Sequence, residues 1–328
     1  MTISATAPGK LVVLGEYAVL SGSRALVMAV DRLCRVEIAV SDDEFCHLET
    51  VAPDPDEQRF AVGEPSGAAL VDLVIAPDSD FAPWHGTVDT AAFFEQGQKL
   101  GAGSSAAVLV AWDAAWSRYT GLKSKRSLEG LIGLHRSFQG GKGSGLDIAA
   151  SLTGGVISYE LGHDGIPTVG NVGLPDGVLF KVIYSGKPAA TSHLVAAFDA
   201  WRDARPDEAG DFLGHLGKLA RRGLEATKDN DATAFLAALK VYGDALDELG
   251  GRIGAEIVTS EHKEIIRHSE RFDVVYKISG AGGGDVGIGW SQDPDALTAF
   301  EEAVASDYKV LDIDMYESGM LVEGRASG

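Results

Sequence analysis

"KLGAGSSAA", residues 99–107, leads directly into an apolar stretch with helical spacing. Two glycines and two serines at the mouth of a helix admit two readings. In one, Ser104 or Ser105 caps the helix by accepting a hydrogen bond from an early backbone N–H, as serine commonly does. In the other, bare N–H groups with the positive end of the helix dipole behind them bind an anion. Glycines at 101 and 103 exceed what a cap requires, because only the absence of Cβ lets backbone approach an oxyanion closely. The stretch is not a Walker A loop, since no Gly-Lys-Ser/Thr follows the glycines, nor is it a Rossmann fingerprint.

The surrounding chain decides what kind of protein carries this stretch. Its 328 residues suit two domains better than one core. Hydrophobic residues make up 45% and charged residues 23%, an ordinary globular balance. The formal net charge of −20 repels nucleic acid and anionic membrane surfaces, so neither is an expected partner. A small anionic ligand would have to be held by local groups: helix N-termini, a few lysines or a divalent cation. Cys34 and Cys46 are too few for a disulfide framework and too isolated for a zinc cluster. The start, "MTISATAPGKLVVLGEYAV", has no basic leader, and Gly15 and Glu16 break its apolar run. These features together place the protein in the cytoplasm.

Runs over 11–14 and 25–40 read as strands. Val108, Trp112, Ala115, Trp116 and Tyr119 fall at helical spacing after Ser104, and the pattern stops at Gly121. Further helices are expected near 127–138 and over "LDIAASLTGG", then a strand at "VISYEL". "GHDGIPTVGNVGLPDG", 162–177, reads as the connection between halves or a hairpin close to it. Beyond it the pattern predicts a strand at 179–184, helices near 191–202, 211–227, 231–249 and 255–271, and strands at "DVVYKIS", "DVGIGWS" and "KVLDIDMY". Strands split by helices in this way indicate an α+β fold.

Three other stretches bear on chemistry. "APGKLVVLGEYAVLSG" places Lys10 at a strand start, ordinarily a solvated position. "GKGSGLDIAA" carries Ser144, Gly145 and Asp147, where an aspartate after a flexible turn is either an N-cap or a carboxylate held in a cleft. "KISGAGGGDVGI", 277–288, sets five glycines in eight residues between two strands, more than a hairpin needs. A loop that wraps a ligand would account for them.

In this order, "PGK…GEY", "GAGSSAA", the aspartate after "GSG" and "SGAGGGD" resemble the GHMP kinase superfamily, across nearly the whole chain. With "QGGKGSGLDIAA", "GGVISYE" and "YSGKPAATS" added, the chain is most similar to the phosphomevalonate kinase branch. The resemblance implies a ribosomal-protein-S5-domain-2-like N-terminal domain, residues 1–170, and a ferredoxin-like C-terminal domain, residues 171–328. It implies ATP-dependent phosphorylation of 5-phosphomevalonate to 5-diphosphomevalonate, by a monomer or homodimer. A mevalonate kinase, another small-molecule kinase of the superfamily and a non-catalytic nucleotide or metabolite sensor are the alternatives.

By the same resemblance, Lys99, Gly101, Ala102, Gly103, Ser104 and Ser105 would bind ATP, with Ser104 and Ser105 facing Mg²⁺. Lys10 and Asp147 would be catalytic. Lys10, Ser144, Gly145, Ser192, Gly280, Ala281 and Gly282 would bind the acceptor. Lys142 and Lys187 lie beside these motifs as further cations. Two positions depart from the pattern. Ala102 stands where the superfamily usually has leucine. Arg136, with His135 beside it, stands where mevalonate and homoserine kinases carry a metal-binding glutamate, about eleven residues before the aspartate.

Overall fold

The computed structural model describes residues 2–75, 81–121, 126–141, 143–162 and 164–324. The first half is built on a large sheet containing β1 (Thr2–Leu14), β2 (Ala25–Val40), β3 (Cys46–Thr50), β4 (Asp56–Phe60) and β5 (Trp84–Asp89). After the short helix α1 (Ala69–Asp72) and a two-stranded ribbon of β6 (Phe94–Glu95) and β7 (Gln98–Lys99) come three helices. These are α2 (Ser104–Thr120), α3 (Leu128–Phe138) and α4 (Leu146–Thr153), followed by β8 (Val156–Leu161) and β9 (Pro167–Val172), which form a hairpin.

The second half runs β10 (Leu179–Tyr184), α5 (Thr191–Ala204), α6 (Pro206–Lys228), α7 (Ala232–Ile253), α8 (Ser260–Glu270), β11 (Val275–Ile278), β12 (Val286–Ser291), α9 (Pro294–Val304) and β13 (Lys309–Leu311). Its four strands pair antiparallel in the order β11-β12-β10-β13. That is a ferredoxin-like sheet in which four helices, α5 to α8, occupy the first crossover. The chain then returns to the first sheet, where β14 (Leu321–Glu323) pairs with β1. Strand β9 runs to Val172 in the first sheet, and β14 rejoins that sheet from the far end of the chain.

The central strand pair explains where the core sits. The start of β1 alternates, with Ile3 and Ala5 buried, whereas Ala7 to Leu14 are buried continuously. A strand buried on both faces reads as an unbroken apolar run. Here Leu11 and Val13 belong to the main core, while Val12 joins Leu146, Ala149 and Ala150 of α4 in a smaller one. Helix α2 packs on β1 and β2 through Ala106, Ala107, Leu109, Val110 and Ala111. Small residues let its first turn sit close to the strand that carries Lys10.

Two helix expectations shift. The helix expected from 211 starts at Pro206, whose fixed φ suits a first helical position. The helix expected over 255–271 begins only at Ser260, because Gly254 ends α7 at φ 67° and Thr259 caps α8 by accepting from His262 N–H. The connection expected at 162–177 contains β9, so part of it is strand rather than linker.

Candidate active site

One cleft of about 470 Å³ lies between the two halves, lined from both. Its floor is β1. Lys10 is only 7% exposed, and its backbone N–H donates to the Ala102 carbonyl at 2.8 Å, tying the strand to the Gly-rich loop. The side chain runs on beneath Gly103 to reach Asp147, with Nζ 3.6 Å from Oδ1.

The opening stretch is not a serine-capped helix. Gly103 is the N-cap of α2, in the left-handed region at φ 82°, and no side chain caps the helix. Ser104 and Ser105 are helical, and the first turn holds no acidic residue. Ser105 Oγ bonds instead to His135 Nε2 at 3.0 Å, while Ser104 faces the cleft. Uncapped N–H groups and a hydroxyl thus point into a cavity at the positive end of a 17-residue helix. The φ of Gly103 calls for glycine, and a Cβ there would lie 3.2 Å from Lys10 Cγ, a tight contact that the lysine passing beneath would have to shift to relieve.

Asp147 is not a cap either. Gly145 holds that position at φ 88°, and Asp147 sits in the first turn of α4, where the helix dipole favours its negative charge. The turn before it is fixed by bonds to Ser144: its carbonyl accepts from Tyr159 Oη at 2.5 Å and from Arg136 Nη2 at 3.4 Å, and its Oγ accepts from Leu146 N–H. Arg136 Nε also donates to the Gly143 carbonyl. Arg136 therefore organises this turn. His135 is buried, and that burial lowers its pKa; Asp147 opposes the shift and Lys10 adds to it.

The opposite wall is the loop after β11. Ser279 Oγ accepts from Val12 N–H at 2.8 Å, and Tyr17 Oη donates to the Ala281 carbonyl at 2.6 Å. Fully buried His262 bridges Tyr276 Oη and the Gly284 carbonyl at 2.9 and 3.0 Å, holding the loop from behind.

Of the expected residues, Lys10, Lys99, Gly101, Gly103, Ser104, Ser105, Ser144, Asp147, Gly280, Ala281 and Gly282 line the cleft. Three do not. Ala102 is buried and contributes its carbonyl, Gly145 packs against Ile132, and Ser192 is exposed while its neighbour Thr191 faces the cavity. Lys187 turns toward Glu261 at 3.9 Å, and Lys142 lies outside the described residues.

Sequence reasoning did not single out Glu16 and Asp285, the other two carboxylates on the cleft wall. Asp285 closes the "SGAGGGD" motif, and burial raises its pKa against the Ala189 N–H bond and the Lys10 and Lys99 cations. The signal in the sequence was its place at the end of the glycine run.

No family model matches the chain. It is 28% identical to the phosphomevalonate kinase of Streptomyces sp. (strain CL190), over 88% of this chain and 89% of that protein. It is 27% identical to the mevalonate kinase of Aeropyrum pernix, over 97% and 98%. The fold superposes on Streptococcus pneumoniae phosphomevalonate kinase, solved in complex with phosphomevalonate and AMPPNP, at TM-score 0.78 and 21% identity, covering 95% of this chain and 99% of that one.

In fold and in sequence, the chain is similar to kinases of the GHMP superfamily. The fold puts β1, α2 and α4 on one side of the cleft and the loop after β11 on the other. Among the described residues, no helix of this chain is long and apolar enough to cross a membrane.

Proposed function

We propose that this chain transfers the γ-phosphoryl group of ATP to 5-phosphomevalonate, giving 5-diphosphomevalonate and ADP in the mevalonate route to isoprenoids. The observation that carries the reading is the convergence of Lys10 and Asp147 beside an uncapped helix N-terminus within one cleft. In phosphoryl transfer a protein contributes mainly positioning and charge neutralisation. The amides at the start of α2 and the Ser104 hydroxyl would hold the nucleotide phosphates, with Lys99 at the rim. Lys10 would stabilise charge on the bridging oxygen, and Asp147 would orient the attacking oxygen and take its proton where it carries one. A phosphate acceptor already offers an anionic oxygen, so positioning outweighs proton abstraction. Ser144 and the loop 280–282 would line the acceptor end.

The residues fit Mg²⁺ in company with a nucleotide. Among the described residues no three His, Cys, Asp or Glu side chains converge to hold a metal alone. Hydroxyls at Ser104 and Ser105 and carboxylates at Asp147 and Asp285 are oxygen donors around the phosphate loop, and Mg²⁺ is typically held by one or two carboxylates plus substrate phosphates. When bound, it would neutralise charge on the β- and γ-phosphates.

Support for the acceptor comes from the Streptomyces relative and from Arg136, which occupies the α3 position of the mevalonate kinases' glutamate and serves the 143–144 turn. A mevalonate acceptor is the second reading, favoured by the Aeropyrum relative, which matches 97% of the chain. Coupled ADP release with mevalonate, 5-phosphomevalonate, homoserine and galactose separates them. Fastest turnover is expected with 5-phosphomevalonate. Preference for mevalonate would move the assignment to the second reading, and ATP binding without ADP release from any acceptor would indicate a sensor.

A further inference from the structure

Three carboxylates line the cleft, and they differ in how their charge is answered. Glu16 faces Lys277, and Asp147 faces Lys10. Asp285 forms no ion pair within 4.0 Å among the described residues, and Lys10 and Lys99 answer its charge only from farther off. It comes from the wall opposite the phosphate loop, and three hydrogen bonds fix its place: Oδ1 accepts from Ala189 N–H at 2.9 Å, its N–H donates to the Lys187 carbonyl at 2.7 Å, and its carbonyl accepts from Ser185 N–H at 2.9 Å. It also holds a left-handed backbone at φ 54°, unusual for a residue other than glycine.

These ties aim the other oxygen, Oδ2, at Gly101. A Cβ on Gly101 would lie 2.1 Å from Oδ2 and 2.7 Å from Cγ. The carboxylate therefore fills the space that a side chain at Gly101 would take, which gives that glycine a purpose beyond its φ of 69°. A fixed negative charge thus stands against the loop read here as the binder of nucleotide phosphates. Alone, it repels them. Nucleotide carrying a divalent cation brings less negative charge, and a carboxylate is an oxygen donor of the kind such a cation takes, so the same charge would favour the metal-loaded form.

We propose that Asp285 makes the phosphate loop selective for nucleotide carrying its divalent cation over the metal-free nucleotide. This inference rests on the nucleotide-binding reading given above. It assigns to the C-terminal wall the carboxylate that Arg136 does not supply from α3.

The test is calorimetric binding of AMPPNP with Mg²⁺ and with EDTA, to the full chain and to Asp285→Asn. Asparagine keeps the Oδ1 acceptor for Ala189 N–H and removes the charge. Wild type is expected to bind at least about tenfold more tightly with Mg²⁺, and the variant to narrow that ratio to about threefold or less, chiefly by binding metal-free AMPPNP more tightly. An unchanged ratio in the folded variant overturns the proposal and leaves the nucleotide site intact. No binding by wild type in either condition overturns both. Should Asp285→Asn fail to fold, Asp285→Ser, whose hydroxyl can also accept from Ala189, carries the same comparison and the same outcomes.

Discussion

Glu16 and Lys277, 261 residues apart in sequence, meet as a buried ion pair where the two halves of the molecule join. They are 4% and 2% exposed, and Lys277 Nζ also donates to the Ile278 carbonyl at 2.6 Å. Tyr242 Oη donates to the Glu16 carbonyl at 2.7 Å, and its ring centroid lies 5.7 Å from Nζ. Glu16 Oε2 has no hydrogen-bond partner among the described residues. Glu16 precedes Tyr17, and Lys277 lies two positions before Ser279, so the pair anchors both sides of the Tyr17–Ala281 and Val12–Ser279 bonds.

Removing one partner of a buried pair leaves an uncompensated charge, which typically costs about 3–5 kcal/mol. Lys277→Met is therefore expected to lose stability on that scale in urea, and Glu16→Gln combined with Lys277→Met to recover most of it. A loss below about 1 kcal/mol for the single variant would show that water reaches the pair.

Gly103→Val strikes the proposed phosphate loop directly. Valine is β-branched and disfavoured at φ 82°, and its Cβ would press on Lys10. AMPPNP affinity is expected to fall by at least about tenfold, through the displaced N–H groups and lysine. An unchanged dissociation constant in the folded variant would reduce the stretch to a helix start.

His135 and His262 are both buried, and burial lowers both pKa values below the ordinary 6.5. The unfolded chain therefore binds these protons first as pH falls, so stability decreases from about pH 7 toward the lowered values and is unaffected above both. His47 acts the other way: burial would lower it, but Asp43 and Glu57 raise it. The informative quantity is the difference between variants. The urea midpoint is expected to drop less between pH 7.5 and pH 5.5 in His135→Gln than in wild type. Equal drops would show that His135 titrates without consequence for folding.

Much of the fold could be read locally. Helix α2 showed itself by periodicity and by Gly121, and the Gly-rich loop after β11 by its composition. Serines 104 and 105 suggested capping because sequence shows residue type without backbone conformation, and Gly103 takes the cap through its left-handed φ. Strand β9 was obscured by the glycines and prolines on either side of it, and the start of α8 by the Gly254 stop that only Thr259 reverses. Glu16–Lys277, Asp285–Gly101 and Ser105–His135 were beyond reach, since each joins residues through a fold that spacing alone does not specify.

The central claim is that Lys10 and Asp147 act together on an incoming oxygen. ³¹P NMR of the chain with ATP, Mg²⁺ and 5-phosphomevalonate, run beside Asp147→Asn, tests it most directly. Wild type should convert the acceptor phosphate into a diphosphate as ADP forms, and the variant should do so about a hundredfold or more slowly with its melting temperature retained. Conversion at the wild-type rate by the folded variant would contradict the claim.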